Sequence, residues 1–195
     1  MEEKTFVDDI NRSVYDIKNE ENDSYRIKQG LTPEIVEKIS EEKHDPAWMR
    51  EFRLKSLEIY NNMQVPDWGP SIDGLNMDNI ATYVRANTNM KGDWKDVPEE
   101  IKDTFDRLGI PKAERESLAG VGAQYDSELV YHNVRKEVAD QGVVYTDMES
   151  ALTGEYADMV HEHFMKLITP QDHKFAALHG AVSVSYTHLR AHETR

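Results

Sequence analysis

Between Leu118 and Leu152 the pattern of the chain turns from helical to extended, and this change limits the fold more than any other feature. Glu128-Leu129-Val130-Tyr131-His132 alternates with period two and carries the β-branched and aromatic residues of a strand. Val143-Val144-Tyr145 repeats that chemistry after a turn at Gly142. The stretch between them, Val134 to Asp140, is too short and too charged for more than one or two helical turns. Two short strands bury too little surface to stand alone, so this β element reads as the edge or beginning of something larger. The sequence is therefore expected to be an incomplete protein.

The rest reads as short helices separated by Pro/Gly turns, giving an α+β class that is mainly α. Residues 1–30 form a polar N-terminal segment, expected to be partly mobile, in which Ile10, Val14 and Ile17 allow one weak helix. Residues 31–118 form a helical region with a turn-rich connector. Thr32-Pro33 opens its first helix, with a side-chain oxygen at the cap and proline at the first position, and Ile35, Val36 and Ile39 make the buried stripe. Asp45-Pro46 repeats the device for a longer helix carrying Met49, Phe52, Ile59, Tyr60 and Met63, with Trp48 alongside and Pro66 as its stop. Leu54 and Leu57 lie on a second face, which predicts packing on two sides. Pro66, Gly69, Pro70, Gly74 and Gly92 then mark the connector, within which residues 80–84 read as a strand. Pro98-Glu99-Glu100 opens a helix running to Leu108 and stopped at Gly109, and Pro111 starts a short one to Leu118.

Residues 119–182 form an α+β segment leading into a β core that the sequence does not contain. Asp147 caps a brief turn. A helix over 155–168 follows, with Tyr156, Met159, Val160, His163, Phe164 and Leu167 on one continuous apolar face, ended by Pro170. Residues 183–195, SVSYTHLRAHETR, break the pattern and are set apart as a tail.

Charge narrows the function classes. With 23 basic against 37 acidic residues the formal charge is −14, which repels phosphate backbones and anionic lipid, so neither nucleic acid nor membrane is expected as a partner. No apolar run is long enough to span a bilayer, and Met1-Glu2-Glu3-Lys4 lacks the layout of a signal peptide, so a cytoplasmic protein is expected. Cysteine is absent, which excludes disulfides, thiolate metal sites and cysteine nucleophiles in these residues. A hydrophobic content of 38% and a mean hydropathy of −0.72 describe a thin core that partner surfaces, or the remainder of a longer chain, would complete.

Each candidate constellation favours a structural reading. His161-Glu162-His163, with Met165, suggests a helical metal motif, but residues two apart diverge by about 200° around a helix and cannot converge on one ion. The expectation is His163 at the edge of a packed face and His161 in solvent. His188 and His192 have i, i+4 spacing, without an acid placed as a base, and lie in the tail. Gly120-Val121-Gly122 lacks the third glycine, the nearby basic residue and the strong preceding strand of a phosphate loop, and reads as a hinge. His132 falls on the strand face opposite Tyr131 and is expected to be neutral and hydrogen-bonded, with metal transfer as the alternative. Asp8-Asp9, Glu20-Glu21 and Glu99-Glu100 are sequence neighbours that diverge into solvent. The aromatic stripe of Trp48, Phe52 and Tyr60 reads as core, with a docking face as the alternative. No catalytic, cofactor-binding or metal-binding residue is assigned.

Several motifs in one register carry a resemblance across roughly residues 5 to 182. They are Asp45-Pro46-Ala47-Trp48-Met49-Arg50-Glu51-Phe52-Arg53-Leu54-Lys55-Ser56-Leu57, then Gly120 to Glu128 (GVGAQYDSE) with Val130-Tyr131-His132-Asn133, then Gly142-Val143-Val144-Tyr145 with Ser150-Ala151-Leu152, and Lys174 to Val182 (KFAALHGAV). Together they resemble the amino-terminal part of the SufB/SufD family of the SUF iron–sulfur cluster assembly machinery. The resemblance implies a scaffold role in a SufBCD-type complex, with a SufC-like ATPase, a SufD-like subunit and a sulfur donor system as partners. It implies an iron–sulfur cluster on the full-length family member, with no cofactor in this chain, no enzymatic activity, and the residues for cluster chemistry and ATPase contact in a later β-helix core and C-terminal helices. After Val182 the family continues into a tryptophan and a Ser-Gly-Gly turn, whereas the tail here resembles translated adapter sequence; a natural C-terminus is the other reading. A free-standing acidic helical adaptor remains the alternative function, to be separated by whether the β element is unpaired and exposed.

Overall fold

A computed structural model describes residues 23–69, 71–87, 89, 91–109, 120–125, 127–183 and 187–190. The weak helix expected around Ile10 and the short one opened by Pro111 lie outside the described residues. The observed class is α+β and mainly helical, with three two-stranded antiparallel sheets among the described residues.

The helical layer is built on α1 (Pro33–Glu42), α2 (Ala47–Asn62) and a later helix over Lys174–Val182. α1 starts as its sequence demands: Thr32 Oγ1 accepts from the Ile35 amide at 3.4 Å, and Ile35, Val36 and Ile39 are buried. The cap expected at Asp45 is not formed. Pro46 itself occupies the N-cap of α2 without a side-chain cap, because the Asp45 carboxylate is taken by Arg53, one buried charge drawn to another at 2.6 Å. α2 ends at Asn62, ahead of Pro66, where the Met63 amide closes the last turn on the Ile59 carbonyl. It does pack on two sides: Leu57, with Leu54 at the edge, meets Val36 and Ala181, and Met49 meets Met148 and Leu152. The approach to the Lys174–Val182 helix is close enough that a Cβ at Gly180 would fall 2.6 Å from Ser56 Oγ and 3.2 Å from Phe52 Cε1.

β1 (Asp23–Arg26) pairs antiparallel with β2 (Val84–Ala86). The strand expected over 80–84 is thus displaced toward the C-terminus, because Ile80 closes a 3-10 turn over Met77–Asn79 and its carbonyl accepts from Gly30. α3 (Glu99–Arg107) has acids in its first turn and ends through Leu108 on Gly109, whose φ of +73° is the left-handed conformation that glycine takes at least cost. Ile101 on α3 and Val97 before it share a buried cluster with Ala123, Val130 and Tyr131, edged by Trp94, Phe105 and Tyr125.

That cluster sits on a ribbon of β3 (Gly120–Tyr125) and β4 (Glu128–Val134), paired antiparallel from Gly120↔Val134 to Tyr125↔Glu128. The hinge expected at Gly120-Val121-Gly122 is therefore a strand, since its amides and carbonyls face the partner that β4 supplies. β4 is also bordered on its other side: Lys91 N donates to the Val130 carbonyl at 2.9 Å, and His132 N donates to the Lys91 carbonyl at 3.0 Å. The β element is not unpaired, so its exposure does not distinguish a scaffold segment from an adaptor.

α4 (Lys136–Ala139) supplies the expected helical turn and leads to β5 (Val144–Asp147). Asp147 caps α5 (Met148–Thr153), accepting from the Ser150 amide at 2.8 Å. α6 covers Ala157–His163, and not 155–168. Its Val160 and the following Phe164 pack on Trp48, Met49, Met148 and Leu152, but the chain turns at Phe164, and Met165 takes a positive φ of 49°. Leu167 is consequently 98% exposed and Ile168 66%, where a continuous apolar face was expected. α7 is the Lys174–Val182 helix, and β6 (Thr187–Arg190), inside the stretch set apart as a tail, pairs antiparallel with β5.

Candidate functional site

The densest polar convergence in the described structure surrounds Glu128, the first residue of β4. Tyr83 donates its hydroxyl to Glu128 Oε1 at 2.5 Å, and Lys43 Nζ lies 3.2 and 3.1 Å from the two carboxylate oxygens. Arg85 Nε stands 3.8 Å from Oε1, and its other end pairs with Glu42 at 3.0 Å. Lys43 is only 5% exposed and reaches a second carboxylate, Glu149 on α5, at 2.6 Å. The site thus draws on the end of α1, the start of β2, the start of β4 and α5. Each buried charge has a partner of opposite sign, the condition under which such charges persist away from water.

The electrostatics follow from this geometry. Burial pushes the Tyr83 phenol well above its ordinary value, and the hydrogen bond and negative charge of Glu128 add to that, with Arg85 pulling partly against them. The neutral Tyr83 phenol thus donates to a carboxylate that also accepts from the Lys43 ammonium group, with the Ser127 hydroxyl next to Glu128 in the chain. The arrangement ties these elements together.

His132 is the histidine that the sequence singled out. The strand places it on the face opposite the buried Tyr131, as alternation requires, and its ring stacks on Tyr145 of β5 at 4.8 Å and 29°. The expected hydrogen bond is missing at Nε2, which is buried without a partner among the described residues. Tyr145 leaves little room nearby: its hydroxyl lies 2.7 Å from where a Cβ at Gly122 would stand.

The remaining candidates do not converge. His161 is exposed, with its ring tilted against Trp48 at 4.5 Å, and His163 is exposed beyond the packed face. No group of three metal-ligating side chains occurs among the described residues. His188 belongs to the strand β6, where a helical i, i+4 relation does not apply, and His192 lies outside the described residues. Asp8, Asp9, Glu20 and Glu21 also lie outside them; Glu99 pairs with Lys102 at 2.8 Å. Trp48 and Phe52 pack on Phe164, so the aromatic stripe is core in that part. An open groove of about 560 Å³ runs along the end of α2, lined by Lys55, Glu58, Ile59, Asn62, Met63 and Gln171.

Sequence reasoning missed Glu128 and Lys43. Glu128 reads as the polar start of an alternating strand, and Lys43 as part of the charged run Glu41-Glu42-Lys43-His44. No local signal marks either, because their partners come from 85 and 45 residues away.

No protein-family model matches the chain. Over 174 residues it is 49% identical to the iron–sulfur cluster assembly protein SufB of Bacillus subtilis, a match covering 89% of this chain and 37% of that protein. At 44% identity, with the same coverage, it matches iron–sulfur cluster assembly SufBD family proteins of Staphylococcus haemolyticus and Staphylococcus aureus. The chain belongs to the SufB/SufBD family. It spans 37% of the length of these SufB/SufBD relatives. An identity of this size across 89% of the chain favours the family reading over an unrelated acidic adaptor. The Glu128 network and the His132–Tyr145 stack are thus features of a SufB/SufBD chain.

Proposed function

We propose that this chain acts in iron–sulfur cluster assembly as the helical and β-ribbon part of a SufB-like scaffold subunit. The observation that carries this reading is the 174-residue match at 49% identity to a protein named for that role. In this reading the chain is not itself an enzyme. It works in the cytoplasm within a SufBCD-type complex, alongside a SufC-like ATPase, a SufD-like subunit and a sulfur donor system, and does not engage nucleic acid or membrane. The charge of −14 supports the last point, and among the described residues no helix is long and apolar enough to cross a membrane. The cluster is the scaffold's product, and the chemistry of building it belongs to residues beyond these, since the chain has no cysteine thiolate to offer.

A chimera tests the proposal: the matching segment of the Bacillus subtilis relative is replaced by this chain in cells that depend on that protein. Restored activity of iron–sulfur enzymes is the expected result. A chimera that accumulates as folded protein, yet leaves those enzymes without clusters, overturns it.

A further inference from the structure

The apolar cores of the molecule are divided, and the division falls at Glu128. Val97, Ile101, Ala123, Val130 and Tyr131 form one buried cluster, joining α3 to the β3–β4 ribbon. Ile27, Ile35, Ile39 and Tyr83 form a second, and Val36, Leu57 and Ala181 a third, joining β1, α1, α2 and α7. The first cluster shares no residue with the other two. The tip of the ribbon meets the helical layer through polar contacts concentrated in two consecutive residues. Ser127 N donates to the Val84 carbonyl at 3.1 Å, Val84 N donates to Ser127 Oγ at 3.0 Å, and Glu128 accepts from Tyr83 and Lys43 while pairing with Arg85.

We propose that Ser127 and Glu128 form a polar latch by which the tip of the β3–β4 ribbon docks on and releases from the α1–β2 layer, without unfolding either one. Apolar burial is non-directional and is lost gradually as surfaces part, whereas charge-assisted hydrogen bonds require donor and acceptor in register and break over a short displacement. A unit that keeps its own core on both sides of such a joint opens locally at a free energy below that of global unfolding. The stack of His132 on Tyr145 lies farther along β4, so it serves as the pivot while the Glu128 end swings. Lys43 is suited to hold the joint in both states. When Glu128 leaves, the ammonium group keeps Glu149 at 2.6 Å and is not stranded as an unpaired buried charge.

Native-state hydrogen exchange on the full 195-residue chain tests this, comparing the unaltered protein with Glu128→Ala, Lys43→Met and Glu149→Gln. The amides of Ser127 and Val84 report the joint, that of His132 reports the border of β4 with Lys91, and those of Ile39 and Met63 report the helical layer. Glu128→Ala and Lys43→Met should each accelerate exchange at Ser127 and Val84 by about 10- to 100-fold, the range for losing hydrogen bonds to a charged group. His132, Ile39 and Met63 should be accelerated clearly less than the two joint amides, and Glu149→Gln should leave Ser127 protected. Equal acceleration of all five amides shows that Glu128 supports global stability alone and overturns the latch. Unchanged exchange at Ser127 in both latch variants overturns it as well.

Discussion

The hydroxyl of Tyr83 donates to the Glu128 carboxylate across 2.5 Å, although 45 residues separate the two in the chain. The contact ties the start of β2 to the start of β4 and keeps the phenol protonated. Tyr83→Phe retains the ring in its apolar cluster and removes one hydrogen bond to a charged acceptor, so it should destabilise the chain by about 1.5–3 kcal/mol in denaturant titrations.

The same contact sets an alkaline limit. Burial, together with Glu128, raises the Tyr83 pKa above its ordinary 10, so the folded chain holds the phenol proton more tightly than the unfolded chain does. The resulting stability is fully present below about pH 10 and is lost as pH rises from there through the raised value. Denaturation midpoints followed from about pH 8 to about pH 11 should fall more steeply for the unaltered protein than for Tyr83→Phe. Parallel curves would show that Tyr83 has no part in the alkaline limb.

Asp45 and Arg53 form a buried pair, with side-chain exposures of 0% and 2%, and Arg53 also reaches the Ala181 carbonyl. Asp45→Ala leaves a guanidinium group buried without its counter-charge and should cost about 3–5 kcal/mol of unfolding free energy. The double replacement Asp45→Ala with Arg53→Met should recover much of that loss, which a double-mutant cycle by chemical denaturation measures directly.

Gly180 marks a close approach of α7 to α2. Gly180→Ala places a methyl group 2.6 Å from Ser56 Oγ, so the helices must part, at an expected cost of about 1–3 kcal/mol in thermal or chemical unfolding. Removing the obstructing oxygen with Ser56→Ala should restore part of the stability of Gly180→Ala. A Gly180→Ala protein as stable as the original would show that the two helices are not in fixed contact.

Anaerobic incubation of the chain alone with iron and sulfide should give no stoichiometric cluster spectrum, and the chain should hydrolyse no ATP. Cluster ligation relies on cysteine thiolates, and none is present in its 195 residues. A stable absorbance spectrum at one cluster per chain, after desalting, would overturn the expectation.

What the sequence displayed was what neighbouring residues decide among themselves. Thr32-Pro33 at the head of α1, Glu99-Glu100 and Gly109 at the two ends of α3, Asp147 at the cap of α5 and the alternation of β4 all took the predicted form. Long-range demands decided the rest. Asp45 is a good cap by type, but a buried Arg53 outbids a helix terminus for its carboxylate. Gly120-Val121-Gly122 has weak strand propensity, yet β4 supplies a row of backbone partners, and pairing prevails over propensity. The apolar spacing of 155–168 is helical throughout, but the chain turns at Phe164 once Val160 and Phe164 have reached the cluster around Met49. The Glu128 network was invisible for the same reason: no periodicity records a partner from another element.

Gly122 shows how a neighbour can restrict a position that its own backbone leaves open. It sits in an ordinary stretch of β3 and is exposed, so a survey of dihedral angles would mark it as free to vary. The phenol of Tyr145, arriving from β5, occupies the space a first side-chain carbon would need, and that same ring supports His132. A mutational library across residues 120–125 should therefore tolerate change at 122 least where the change adds volume, and the same library built on Tyr145→Ala should accept small side chains there.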